Sequence, residues 1–253
     1  MEHILGIDIG GSGIKGALVD LEKGEFASDR IRIPTPEGFG MDDVSAVIGE
    51  IAKSFNYTGK VGVGFPAPVR LSDGVVLADP TAHHYPGWKG KSASEAFSKT
   101  AGCEVTVVND ADAAGLAEAK FGAGKGVSGT IVVITLGTGV GSGLIYNGNL
   151  IPNTEFGKLY LKGHNKHSEQ YMAGRIKDEE DLSHIEWGKR LNEYLVFLDW
   201  LLDTEMIILG GGISKKFEKY AKVIDVDTQV IPATLRNKAG IIGAAAASAQ
   251  NAS

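Results

Sequence analysis

The chain has 253 residues, 43% of them hydrophobic and 22% charged, with a formal net charge of −6 at pH 7. That length supports one large core or two modest lobes, and the acidic balance argues against a nucleic-acid partner, which calls for a basic surface. Cys103 is the single cysteine, which excludes an intramolecular disulfide and a cysteine-rich zinc site, and no stretch approaches the roughly 20 apolar residues of a membrane span. Ile4 to Ile9 is broken by Asp8 and runs into glycines, unlike a secretory signal. A soluble, unprocessed, cytoplasmic protein with no membrane partner is expected.

In chain order, Ile4 to Ile9 and Ile14 to Val19 read as a strand hairpin, with a third strand near Phe26 to Ile33 ended by Pro34-Thr35-Pro36. Val44, Val47, Ile48, Ile51 and Phe55 recur at helical spacing, so a helix is expected over about Asp42 to Phe55. Lys60 to Phe65 is a further strand. After a proline-rich loop, Ser92-Ala93-Ser94-Glu95 is a capping box that opens a short helix, and Val105 to Val108 is the next strand. A second βββαβα-like set follows: a helix over Ala111 to Phe121, strands Thr130 to Leu136 and Gly143 to Leu150 with an Asn147-Gly148 turn, and a long helix opened by Ser183-His184-Ile185-Glu186. Met206 to Leu209 is the last strand, Lys215 to Lys222 a lysine-rich helix, and Gly240 to Ala249 an apolar closing helix. The repetition implies an α/β duplication. One lobe is expected over residues 1–108 plus 239–253, the other over 109–238.

Three glycine-rich turns follow strand-like runs: Asp8-Ile9-Gly10-Gly11-Ser12-Gly13, Leu136-Gly137-Thr138-Gly139-Val140-Gly141 and Leu209-Gly210-Gly211-Gly212-Ile213-Ser214. Backbone without Cβ can approach an anion and converge its N–H groups on phosphate oxygens; a single such turn is equally a hairpin end or a helix start. Asp8 beside the first turn suits a hydrated divalent cation on a phosphate chain, with Lys15 just beyond, though a turn aspartate also caps its own backbone. Asn109-Asp110 follows a strand and precedes a helix, the place for a general base that takes a proton from a sugar hydroxyl; either residue also suits an N-cap. Asp112 is weaker because it enters the helix. Glu155 in a polar loop can accept from two sugar hydroxyls. His164 and His167 lack further ligands for zinc and read as exposed loop residues. Trp88 either lines a cleft or packs its loop. Lys215, Lys216, Lys219 and Lys222 either cradle a polyanion or form a solvated face.

These segments, together with Gly64-Phe65-Pro66-Ala67-Pro68-Val69, Asn109-Asp110-Ala111-Asp112 and Asn153-Thr154-Glu155-Phe156-Gly157, resemble the ROK sugar kinases of the actin/hexokinase/Hsp70 superfamily over nearly the whole chain. Within that family the compact length, Arg32-Ile33-Pro34-Thr35-Pro36, Asn153-Thr154-Glu155 and the closing Leu235-Arg236-Asn237-Lys238-Ala239-Gly240-Ile241-Ile242-Gly243-Ala244 are most similar to the polyphosphate glucokinases. The resemblance implies a two-lobed actin-like (ribonuclease H-like) fold of duplicated βββαβα halves with sugar in the cleft between lobes. It implies Asp110 as base, with Asn109, Glu155, Gly64, Pro66 and Lys158 around a hexose. Donor phosphates with Mg2+, held through Asp8, would rest on Gly10, Gly11, Ser12, Lys15, Gly137, Thr138 and Gly139. Gly210, Gly211, Gly212 and Lys215 would face a nucleoside or a longer phosphate chain, since the donor is polyphosphate, ATP or both. A homodimer is implied too.

Two departures stand out. The family's zinc cysteines are missing, as in polyphosphate glucokinases, so no zinc is expected. Lys158 occupies the place of the usual sugar-binding histidine, and an ammonium cannot accept a hydrogen bond as a neutral imidazole does. The competing readings are a strictly ATP-dependent kinase for glucose, mannose or an amino sugar, and a non-catalytic sugar sensor. Repressor relatives carry a helix-turn-helix before the first strand, where this sequence has only Met1-Glu2-His3, so catalysis is the expectation.

Overall fold

The computed structural model describes residues 3–80 and 85–250. The chain divides into two units, Met1–Ala117 with Asn237–Ser253, and Glu118–Arg236. The first boundary between these units lies after Ala117, inside a helix.

In the first unit, β1 (Ile4–Gly10) and β2 (Gly13–Asp20) form the expected hairpin. The single third strand is instead two short ones, β3 (Glu25–Phe26) and β4 (Ile31–Ile33), both paired to β2. Helix α1 (Met41–Ser54) carries Asp42 and Asp43 in its first turn and Lys53 in its last, charges that suit the helix dipole. Strand β5 (Val61–Phe65) pairs parallel to β1, and a small hairpin of β6 (Val69–Arg70) and β7 (Val75–Val76) follows where the prolines suggested only loop. Helix α2 (Ala93–Ala101) starts where Ser92 Oγ accepts from Glu95 N at 3.1 Å and stops at Gly102, which is left-handed with φ 71°. Strand β8 (Val105–Asn109) lies parallel to β5, and α3 (Asp110–Phe121) leaves it directly.

The sheet order is β3-β2-β1-β5-β8. The C-terminal helix, Ala239–Gln250, packs on it through small residues. A Cβ on Gly62 would sit 1.8 Å from Ala244 O, so helix and sheet backbones meet without intervening side chains, and one on Gly243 would sit 1.7 Å from Ala113 O, so the helix meets α3 equally closely. On the other side, Trp88 is buried among Phe39, Phe65 and Phe97 and donates from Nε1 to Phe39 O at 2.9 Å. Its two sequence readings resolve in favour of packing.

In the second unit, β9 (Thr130–Leu136) and β10 (Val140–Tyr146) form the hairpin around the second glycine turn, and β11 (Asn149–Ile151) returns through Asn147-Gly148. A 3-10 turn at Phe156–Lys158 and two short helices, α4 (Ser168–Met172) and α5 (Gly174–Glu179), precede α6 (His184–Leu202). The box opening α6 is complete: Ser183 Oγ accepts from Glu186 N, and the Glu186 carboxylate accepts from Ser183 N. Strands β12 (Met206–Gly210) and β13 (Gln229–Pro232) continue in parallel, giving the order β11-β10-β9-β12-β13. The hairpin followed by parallel strands repeats the plan of the first sheet. The lysine-rich stretch departs from expectation: Gly212–Lys219 is 3-10 helix with a kink at Lys216, followed by a second 3-10 turn at Ala221–Val223. Trp187, Leu191, Tyr194, Leu195 and Leu198 bury the inner face of α6. Glu118, 1% exposed, accepts from the backbone N–H groups of Ala123, Thr234 and Leu235, tying the start of this unit to its end.

Candidate active site

The first unit gathers its candidate residues at the carboxyl ends of parallel strands, where α/β sheets bind ligands. Register sets Asp8 opposite both Lys15 and Gly64, and a Cβ on Gly64 would lie 3.8 Å from Asp110 Cα. Asp8 and Lys15 form an ion pair at 3.5 Å. Burial pushes the Asp8 carboxyl above the usual aspartate range, while the Lys15 ammonium and, more weakly, Arg30 pull it back. Gly240, at the start of the C-terminal helix, approaches so closely that a Cβ there would meet Asp8 Oδ1 at 2.9 Å.

The first turn is braced by residues the sequence reading noted only as part of a family segment. Arg32 donates to Ser12 O at 2.6 Å and Thr35 Oγ1 to Gly10 O at 2.5 Å. Gly10, Gly11 and Gly13 thus keep a turn held from outside.

Asn109 is the N-cap anticipated as the alternative: its Oδ1 accepts from Ala111 N at 3.0 Å and Asp112 N at 3.1 Å. Its side-chain amide donors are not used in these bonds. Asp110 Oδ1 accepts from Ala111 N at 2.8 Å, which fixes the carboxylate at the first turn of α3. Asp112 is 1% exposed and enters the helix. Pro66 follows the end of β5, and Ala67 N donates to Phe65 O across it at 2.9 Å.

In the second unit, Arg175 braces the Gly137-Thr138-Gly139 turn by donating from Nε to Thr138 O at 2.6 Å and from its backbone N to Gly137 O at 3.0 Å. Glu169 accepts from Val140 N at 2.9 Å, and a Cβ on Gly139 would meet that carboxylate at 2.6 Å. Gly137 and Thr138 stay exposed, with nothing within 4 Å of a Cβ on Gly137.

Glu155 precedes the 3-10 turn after β11, Lys158 ends it, and the two form an ion pair at 3.1 Å. Buried Ser142 shapes this loop, donating to Thr154 O at 2.6 Å and accepting from Phe156 N at 3.1 Å. Gly157 lets it press on β10, since a Cβ would lie 2.5 Å from Val140 O.

At the third turn Gly211 has φ 83°, and a Cβ there would lie 2.2 Å from Leu136 O, whereas Gly212 is open. Gly210 ends β12, and Ser214 Oγ donates to Gly211 O at 2.7 Å. Beside these turns lies a cavity of about 320 Å³ lined by both glycine turns, by Arg175, Lys177 and Asp178 of α5, by His184 at the start of α6, and by Lys216; Lys215 is not in its wall. Burial and repulsion from Lys177, Lys219 and Lys216 hold the His184 imidazole below its ordinary pKa, with Asp178 acting the other way. Sequence reading saw His184 only as part of a cap and missed Arg175 and Lys177, which sit in a helix too short to show periodicity.

His164 and His167 are partly buried, contrary to the expected exposed loop: His164 Nε2 lies 2.7 Å from Glu193 Oε1, and His167 is the N-cap of α4. Among the described residues no group of three or more His, Cys, Asp or Glu is placed to hold a metal ion. A single carboxylate, as at Asp8, suits Mg2+, which keeps waters and takes its other ligands from substrate phosphates.

The model of the ROK family matches residues 4–174. The chain belongs to the ROK family. It is 42% identical over 247 residues to a polyphosphate glucokinase of Mycobacterium tuberculosis, covering 97% of this chain and 91% of that protein. Among solved structures, the inorganic polyphosphate/ATP-glucomannokinase of Arthrobacter sp. strain KM superposes with a TM-score of 0.89 at 38% identity, covering 99% of this chain and all of that one. A ROK family glucokinase of Streptomyces griseus, in complex with glucose and AMPPNP, superposes with a TM-score of 0.79 at 26% identity over 98% of this chain and 100% of that one. The fold is thus the actin-like ATPase fold of the ROK sugar kinases. No helix among the described residues is long and apolar enough to cross a membrane.

Proposed function

We propose that this protein is a glucokinase that transfers a phosphoryl group from inorganic polyphosphate or ATP to the 6-hydroxyl of glucose, giving glucose 6-phosphate. The observation that carries this reading is the 42% identity to a polyphosphate glucokinase across 97% of the chain, joined to the retained Asn109-Asp110 pair at the carboxyl end of β8.

In this reading Asp110 accepts the proton of the sugar 6-hydroxyl as O6 attacks the terminal phosphorus. The bond between that phosphorus and the rest of the donor breaks, and ADP or a shortened polyphosphate leaves. Positioned base catalysis of this kind contributes roughly 10²- to 10⁴-fold. Asn109 and Glu155 orient the sugar through its other hydroxyls, with Gly64, Pro66 and Lys158 shaping its surroundings. The first two glycine turns and Lys15 hold the donor phosphates, and Gly210 to Gly212 with Lys215 face its distal part. Asp8 would hold Mg2+, which would supply charge neutralisation on the donor when bound. A cytoplasmic homodimer is part of the same reading.

The glucomannokinase among the structural relatives supports mannose as a second acceptor, and Lys158 at the family's histidine position leaves the choice among glucose, mannose and an amino sugar to be tested. The test is an assay of purified protein with glucose, mannose and N-acetylmannosamine against ATP and long-chain polyphosphate. Transfer from polyphosphate to glucose is expected. A strict ATP requirement would overturn the polyphosphate reading, and sugar binding without transfer would overturn the enzyme.

A further inference from the structure

His184 is an unusual residue in the wall of the second unit's cavity. It stands at the first position of α6, and its Nε2 is buried without a hydrogen-bond partner among the described residues. The groups facing it are cations on two other elements: Lys177 from α5, and Lys216 and Lys219 from the kinked 3-10 stretch. Asp178 is the acid near it, and that carboxylate is shared with Lys177 at 3.3 Å. On its own helix, the first-turn acid Glu186 is occupied by the cap to Ser183.

An ammonium-rich wall and a helix N-terminus both penalise a second proton on imidazole. Phosphate oxygens entering the same space reverse that penalty. Each phosphate brings negative charge within a few ångströms of the ring, where interactions are weakly screened. The walls suit such a ligand better than a purine. Besides the imidazole no side chain lining the cavity is aromatic, the apolar ones are Leu136 and Ile213, and the positive charges of Arg175, Lys177 and Lys216 outnumber the one carboxylate, Asp178.

We propose that this cavity seats the distal phosphates of a polyphosphate donor and that His184 takes up a proton as they enter. The proposal rests on the polyphosphate reading given above. Its consequence is a donor affinity that rises as pH falls through the histidine range, because the protonated ring adds one positive charge to the wall when the polyanion is present.

The test is proton NMR of the six histidines over a pH series, in metal-free buffer, with and without saturating inorganic tripolyphosphate and with no sugar present. The His184 resonance is assigned by its loss in His184→Gln. Its pKa is expected to rise by about one unit or more on saturation, the scale for an opposite charge brought close to the group. A KM for long-chain polyphosphate that falls several-fold from pH 8 to pH 6 in wild type, and is flat in His184→Gln, is the matching kinetic result. An unmoved His184 pKa with tripolyphosphate bound, in an enzyme that still phosphorylates glucose from polyphosphate, overturns this inference alone. Failure of tripolyphosphate to bind, together with no transfer from polyphosphate, overturns the donor reading as well.

Discussion

Lys158 Nζ stands 3.1 Å from the Glu155 carboxylate, so the residue that departs from the family's histidine is paired with a proposed sugar ligand. Both side chains are well exposed, and such a pair contributes only about 0.2–1 kcal/mol to stability. Its effect is on where the carboxylate points. Lys158→Met should leave the melting temperature nearly unchanged while raising KM for glucose roughly three- to tenfold, the scale of one lost hydrogen-bond arrangement. Steady-state kinetics beside a thermal melt checks this, and a fall in kcat at constant KM would move Lys158 out of sugar positioning.

Asp110→Asn keeps an oxygen able to accept from Ala111 N, the bond Asp110 makes now. The fold should therefore persist while turnover drops by about 10²- to 10⁴-fold, the range for a lost general base. Glucose phosphorylation by ATP and by polyphosphate, with circular dichroism as control, gives the answer. Near-wild-type turnover removes Asp110 from the role of base.

Glycines in the turns separate into two kinds. Gly211→Ala forces a Cβ to 2.2 Å from Leu136 O at φ 83°, and strain plus overpacking should cost about 2–4 kcal/mol. Gly137→Ala meets nothing within 4 Å and should melt like wild type, yet raise KM for the phosphoryl donor if backbone approach is its use. Urea unfolding and donor kinetics of the two variants distinguish a structural glycine from a ligand-facing one.

Asp8 gives a pH dependence. Burial raises its pKa in the folded chain, so the folded state binds more protons than the unfolded one in a window opening near the ordinary aspartate value, about 3.9. Within that window stability falls as pH rises. Wild type should therefore gain stability relative to Asp8→Asn as the pH is lowered from neutrality toward that value, measured by paired urea melts. The opposite trend would mean that attraction to Lys15 outweighs burial.

Much of this was legible in the sequence because it rests on local chemistry. Both hairpins, the Asn147-Gly148 turn, the Ser183 cap and the amphipathic α1 follow from turn residues and periodicity. The misreadings have local causes too. Lysines favour helix, but Gly211 and Gly212 before them and the kink at Lys216 give 3-10 geometry. The short α4 and α5 show less than two turns of pattern each, so the basic wall of the cavity stayed hidden. Asn109 illustrates a different limit: capping and sugar binding ask for the same residue at the same place, and only the structure shows its Oδ1 committed to Ala111 and Asp112.

The C-terminal helix also sets an order of events during synthesis. Gly6 and Gly62 leave bare backbone on the face of the first sheet that Ile241 and Ala244 cover. On the ribosome, that sheet is made before its cover, with the whole of Glu118–Arg236 in between. The nascent first unit must wait with an open apolar face while the inserted unit, contiguous in sequence, is free to fold ahead of it. Deleting the helix Ala239–Gln250 would thus strand the part of the protein that was made first.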